Sequence, residues 1–162
     1  MPEYLAQWYA NECREYERRR DKSIEKRPYR YPETVVPIKG SHESDILRIF
    51  LTKQPSSTPA AIPEGANIAI AIREYAGKDP ATYNYLPEKG VAILTRSIQT
   101  RCRYSLTEYM QKFIGKYERQ DRLIEAWMEL NNIEYTEKNY LALAKIYQRQ
   151  RKSYYEHKKR KK

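Results

Sequence analysis

The sequence predicts a mainly α-helical protein, a small helical domain with an N-terminal helix, an extended proline-rich segment and a basic C-terminal helix and tail. Three observations carry that expectation. Apolar residues recur every three or four positions through most of residues 87–147. Ser41, Ser105 and Thr136 stand where helices of that phase would start. Prolines gather in Arg27–Gly40 and Gln54–Pro63, three in each stretch, and neither stretch can form a continuous helix.

Taken in order, Pro2–Lys26 reads as the first helix. Its stripe of Tyr4, Leu5, Trp8, Tyr9, Cys13 and Tyr16 is aromatic but narrow, so it should dock onto the main body or onto a partner. Arg27–Gly40 should run extended. Ser41–Lys53 is a short helix capped by Ser41 or Ser44, with Ile46, Leu47, Ile49 and Phe50 as its apolar side. Gln54–Pro63 is the clearest linker. It divides an N-terminal helical and extended region (1–53) from a main helical domain (64–148), which a basic tail (149–162) follows.

Ala66–Ala76 carries two signals. Alternation at Ile68, Ile70 and Ile72 fits a strand, while the alanines and Gly77 as a stop fit a helix, which is the reading adopted. Ala81–Leu86 is a short extended candidate. Pro87–Arg103 is then helical, with Val91, Leu94, Ile98 and Cys102 on one face. Ser105-Leu106-Thr107-Glu108 has the form of a capping box, which predicts a new helix start after a turn at Arg103-Tyr104-Ser105. Leu106, Tyr109, Met110, Phe113, Ile114 and Tyr117 give that helix a broad apolar face, which Gly115 can bend. Leu123, Ile124, Trp127, Met128 and Leu130 continue the pattern until Asn131-Asn132. Thr136 caps a final helix with Tyr140, Leu143, Ala144, Tyr147 and Tyr154 in its stripe. Mutual repulsion among Lys158–Lys162 should fray it beyond Tyr155. The core is expected over residues 87–147.

Charge is the strongest functional signal. The 162 residues hold 31 Lys and Arg against 21 Asp and Glu, a formal charge of +10. Three regions concentrate it. Arg14–Arg30 has eight basic residues against four acids, and Arg149–Lys162 has eight against one. Between them, Arg96, Arg101, Arg103, Lys112, Lys116 and Arg119 outnumber Glu108 and Glu118. Such regions are solvated helix faces and a solubilising tail, or they meet a polyanion. The candidate nucleic-acid contacts are Arg96, Arg101, Arg103, Lys112, Lys116, Arg149, Arg151, Lys152, Lys158, Lys159 and Arg160. Amides at a capped start near Ser105 would help the arginines to hold phosphate. Duplex DNA is the favoured partner. Tyrosine beside arginine, as in Tyr29-Arg30-Tyr31 and Arg103-Tyr104, leaves RNA or a single strand as the alternative.

Other function classes find little support. The five glycines form neither a dinucleotide-binding nor a phosphate-binding loop. His42 and His157 lie far apart, with no metal-ligand spacing around them, so no metal, cofactor or catalytic residue is expected. No uncharged run approaches the length of a membrane span, and no membrane partner is expected. Met1-Pro2-Glu3-Tyr4 lacks the segments of a signal peptide, and Cys13 and Cys102 make no disulfide framework, so the expected setting is a reducing, cytoplasmic one.

Residues 81–114 resemble ribbon-helix-helix DNA-binding domains. The order of Ala81–Leu86, Pro87–Cys102 and Ser105-Leu106-Thr107-Glu108-Tyr109-Met110 matches that family's short strand, helix, turn and second helix. The resemblance covers about one-fifth of the chain. It implies a homodimer whose strand residues, here Thr82 and Asn84 or their neighbours, read base edges. The overall expectation is a non-enzymatic DNA-binding accessory or regulatory protein of the kind that mobile elements or phages carry. The alternative is an assembly protein that pairs through aromatic helices and touches nucleic acid nonspecifically.

Overall fold

The structure is a computed structural model that describes residues 1–23, 34–55, 65–113 and 119–160, with the backbone alone for 153–160. Most of the 54–63 linker, the start of the proline-rich segment, Ile114–Tyr117 with the bend expected at Gly115, Lys161 and Lys162 lie outside the described residues. Among those described, the chain is mainly helical. The elements are α1 (Glu3–Arg20), β1 (Thr34–Val35), α2 (His42–Phe50), β2 (Ala69–Ile70), α3 (Glu88–Phe113), α4 (Gln120–Leu130) and α5 (Glu137–Arg160). They divide into two compact units, Met1–Gln99 and Thr100–Lys162, and α3 contributes residues to both.

In the first unit α1 is a core helix. Tyr4, Leu5, Ala6, Trp8, Tyr9, Ala10, Asn11 and Cys13 are all buried, which is far more than a narrow stripe. Small Ala6 and Ala10 beside Trp8 and Tyr9 let the helix be enclosed on several sides. The core is therefore not confined to residues 87–147.

Residues 67–73 are not helical and include the strand β2, which corrects the helical reading of Ala66–Ala76. β2 pairs in parallel with β1, Thr34 opposite Ala69 and Val35 opposite Ile70. The Ala71 amide then donates to the Val35 carbonyl at 2.9 Å, and Arg73 Nε to that of Pro37 at 3.2 Å. Asn67 ties the same segment to the chain start, donating to the Met1 carbonyl at 2.7 Å. Alternating Ile68, Ile70 and Ile72 was the true signal. The helix propensity of the alanines yielded to tertiary pairing.

α2 is held at both ends. Ser41 accepts from the Ser44 amide at 3.2 Å, the expected cap. At the other end Lys78 Nζ donates to the carbonyls of Arg48 (2.6 Å) and Leu51 (2.7 Å), with Ile49 at 3.4 Å. A positive charge on the last carbonyls of a helix also suits its dipole. Ile46 and Leu47 are buried as expected, whereas Ile49 points to solvent.

Two contacts fix α2 against α3. Ser97 Oγ donates to the fully buried Glu43 carboxylate at 2.8 Å, and Phe50 lies over Gly90. The contacts are seven residues apart on each helix and in opposite order, so the two helices run antiparallel. A Cβ at Gly90 would sit 3.0 Å from Phe50 Cβ and 2.6 Å from Leu86 Cδ1. Glycine there permits the close approach.

The second unit contains an αα-hairpin. α4 buries Leu123, Ile124, Trp127 and Met128, and its C-terminal Asn131 and Asn132 turn the chain, with Asn132 at φ 51°. Leu130, expected in the stripe, is exposed. Thr136 caps α5 by accepting from the Asn139 amide at 3.1 Å. Among the described side chains of α5, Asn139, Leu143 and Tyr147 are buried. Arg151 reaches Gln120 at 3.4 Å, so the start of α4 lies beside the later half of α5 and the pair is antiparallel. The helix continues to Arg160 rather than fraying at Tyr155, since basic residues at a helix C-terminus are favoured by the dipole.

Two stability measurements test this packing. Gly90→Ala should gain about 1 kcal/mol of helix propensity but lose roughly 1–3 kcal/mol to overpacking, a net fall in denaturant midpoint. A midpoint equal to or above the parent would show that α2 yields freely at Phe50. Leu106 is 0 % exposed, so Leu106→Ala should cost about 2–5 kcal/mol. Phe113 is only half-buried and stacks on Tyr109 at 4.7 Å, so Phe113→Ala should cost clearly less; the reverse order would refute the helix phase described.

Candidate nucleic-acid interface

The expected turn at Arg103-Tyr104-Ser105 does not exist. α3 runs unbroken from Glu88 to Phe113. Its buried row, Leu94, Ile98, Cys102, Leu106 and Met110, keeps an i, i+4 spacing straight through those residues, while Val91 is 49 % exposed and outside it. Ser105 is therefore a mid-helix residue. Amides in its turn are spent on intrahelical hydrogen bonds, and no free set of them faces a phosphate.

The strand implied for residues 81–86 is also absent. The Thr82 and Tyr83 amides fold back on the Asp79 carbonyl at 3.0 and 2.7 Å, and Tyr85 makes a single bridge to Thr52. Asn84 donates to the Ala81 carbonyl at 3.3 Å. A turn followed by one helix replaces the order strand, helix, turn, helix. The ribbon-helix-helix arrangement is not realised, and Thr82 and Asn84 do not form a base-reading strand.

What the second unit does assemble is a seam between α3 and α5. The Thr107 hydroxyl donates to the Arg103 carbonyl one turn earlier, at 2.7 Å, and is hydrogen-bonded to the side-chain amide of Gln150. Arg149 and Arg151 flank Gln150 on α5, and Arg103 lies one turn from Thr107 on α3. All three arginines are exposed, as is Lys152. Arg101 is half-buried one turn before Ser105, and Lys112 lies exposed over the Phe113 ring at 5.7 Å. Arg96 is exposed on the part of α3 that belongs to the first unit. Lys116 is outside the described residues, and for Lys158, Lys159 and Arg160 only a helical backbone is described.

Thr107 and Gln150 were not legible as a pair. They are distant in sequence, and nothing in either residue type marks a seam. Acidic residues collect elsewhere, on α4, where Asp121, Glu125 and Glu129 recur every four positions. Arg119 pairs with Asp121 at 2.5 Å; their hydrogen bond holds the carboxyl below its ordinary pKa and the guanidinium above its own. Tyr140 is raised above the usual phenol range, by burial first and then by the charges of Asp121 and Glu125. An open groove of about 560 Å³ follows along α4, lined by Glu125, Met128, Glu129, Ile133 and Tyr135.

Among the described residues no group of three or more His, Cys, Asp or Glu is placed to hold a metal ion. No described helix is long and apolar enough to cross a membrane. Cys13 and Cys102 are both buried. No family model matches the chain, and neither a curated protein nor a solved structure shows a significant match to it.

Ser105 provides a direct check on the continuous helix. A serine that caps a helix start costs about 0.5–2 kcal/mol when replaced by alanine. In mid-helix, Ser105→Ala should leave the denaturant midpoint unchanged or raise it by a few tenths of a kcal/mol. A loss above about 1 kcal/mol would restore the turn.

Proposed function

We propose that the protein is a non-enzymatic, basic nucleic-acid-binding accessory or regulatory protein, with duplex DNA as the favoured partner and a reducing, cytoplasmic setting. The observation that supports this reading is the seam of the second unit, where Thr107 and Gln150 join α3 to α5 with exposed Arg103 one turn from Thr107 and exposed Arg149 next to Gln150. Guanidinium groups on two helices at one exposed edge can grip phosphates of one backbone, each by paired donors. Further along α5 the sequence adds the basic residues Lys152, Lys158, Lys159 and Arg160. Contacts of this kind position a protein on a duplex and read no sequence, which suits an accessory role.

Salt dependence tests the reading. Each phosphate neutralised contributes about −0.9 to the slope of log K against log salt on duplex DNA. Arg103→Ala, Arg149→Ala and Arg151→Ala together should flatten that slope by roughly 2–3 and weaken specific and random duplexes alike. The circular dichroism spectrum should be preserved. An unchanged slope and affinity in the triple variant would remove the seam from the binding surface. Tighter binding to single strands than to duplex, measured with competitor, would replace duplex DNA by RNA or single-stranded DNA as partner.

A further inference from the structure

The groove on α4 brings apolar surface and acidic charge together in the second unit. Met128 and Ile133 form its floor, Tyr135 stands at its mouth with 63 % of its surface exposed, and Glu125 and Glu129 lie on its rim. Both carboxylates are exposed in a chain of net charge +10, and no hydrogen bond to either is described, although Glu125 feels the charge of Arg119. Two like charges one helical turn apart repel, so a cation that settles between them relieves a standing cost. The complementary ligand is a long basic side chain whose stem lies on apolar surface and whose head meets a carboxylate.

The chain itself carries such a segment, Arg149–Lys162, with eight basic residues and two tyrosines. It cannot reach the groove of its own molecule. The groove lies at the closed end of the α4–α5 hairpin, next to the start of α5. Arg151 stands at the open end, beside Gln120. At about 1.5 Å per residue, Arg149 is already some 18 Å along α5 from Glu137, and the helix carries the tail onward to Arg160. A return would require the helix to break.

We propose that the acidic, apolar groove at Glu125, Met128, Glu129, Ile133 and Tyr135 receives the basic C-terminal segment of a second copy of the chain. Two-fold symmetry gives each copy one groove and one tail, so every dimer holds the contact twice. The docking does not depend on the nucleic-acid reading, and its test contains no nucleic acid.

The experiment is a charge-swap cycle on the full-length, nuclease-treated protein, read by sedimentation velocity over a concentration series. The parent should dimerise at about 50 mM salt and dissociate as salt rises towards about 0.5 M, where screening is nearly complete. Glu125→Lys with Glu129→Lys should weaken the dimer at least about tenfold, and so should Lys158→Glu, Lys159→Glu and Arg160→Glu. Combining the two sets should return the dimer constant to near the parent value. All positions in the rim set are exposed, and equal thermal midpoints confirm that each variant folds. A parent that stays monomeric at every concentration overturns the proposal. A dimer that either reversal leaves intact, or that the combined variant fails to restore, overturns it equally.

Discussion

The unbroken α3 sets the terms for everything around it. Leu94, Ile98, Cys102, Leu106 and Met110 are buried along one continuous helix, and both compact units draw on it. A break at Arg103-Tyr104-Ser105 would have gained a capped helix start, about 0.5–2 kcal/mol. It would also have thrown Leu106 and Met110 out of register. Each of those side chains is worth about 1.5–3 kcal/mol when buried, so the packed row outweighs the cap. Local hydrogen-bonding preference and burial pointed in different directions at Ser105, and burial decided.

The first unit is organised around polar groups that finish what the helices leave open. Lys78 covers the last carbonyls of α2, Ser41 one of its first amides, and Asn67 the Met1 carbonyl beneath α1. Lys78 also lies 5.8 Å from the Tyr83 ring, which Lys53 approaches at the same distance. The loop carrying these residues is therefore anchored on the end of α2 rather than adrift. Gly77, at φ 75°, supplies the left-handed turn that brings Lys78 back to the helix. The buried Glu43 and its bond from Ser97 then set α2 against α3 with a buried polar contact.

Legibility in the sequence followed the range of the interaction. The caps at Ser41 and Thr136, the stop at Asn131-Asn132 and the burial of Trp127 all depend on residues within a turn or two, and each was readable. The failures are long-range. β2 is extended because Val35 lies alongside, the enclosure of α1 depends on elements far along the chain, and Gly90 matters because Phe50 crosses it. For the candidate interface, residue types showed which side chains carry charge but not which share an edge. The threonine and glutamine that join α3 to α5, Thr107 and Gln150, have no signature of their own.

The net charge of +10 conceals a separation of charge within one hairpin. Acids repeat along α4 while the later half of α5 is basic, and the antiparallel pairing keeps the tail at the end opposite the groove. On the readings proposed here, one tail has two competing anionic hosts, a nucleic-acid backbone and the groove of another copy. Occupying one excludes the other, so each equilibrium weakens the other by the same factor. Nucleic acid that engages the tail must loosen the dimer to the same degree that dimerisation weakens the tail's hold on nucleic acid. Both contacts weaken with salt, but only the nucleic-acid contact gains from releasing the counterions condensed on a regular polyanion. Rising salt therefore erodes the nucleic-acid contact more steeply than the docked tail.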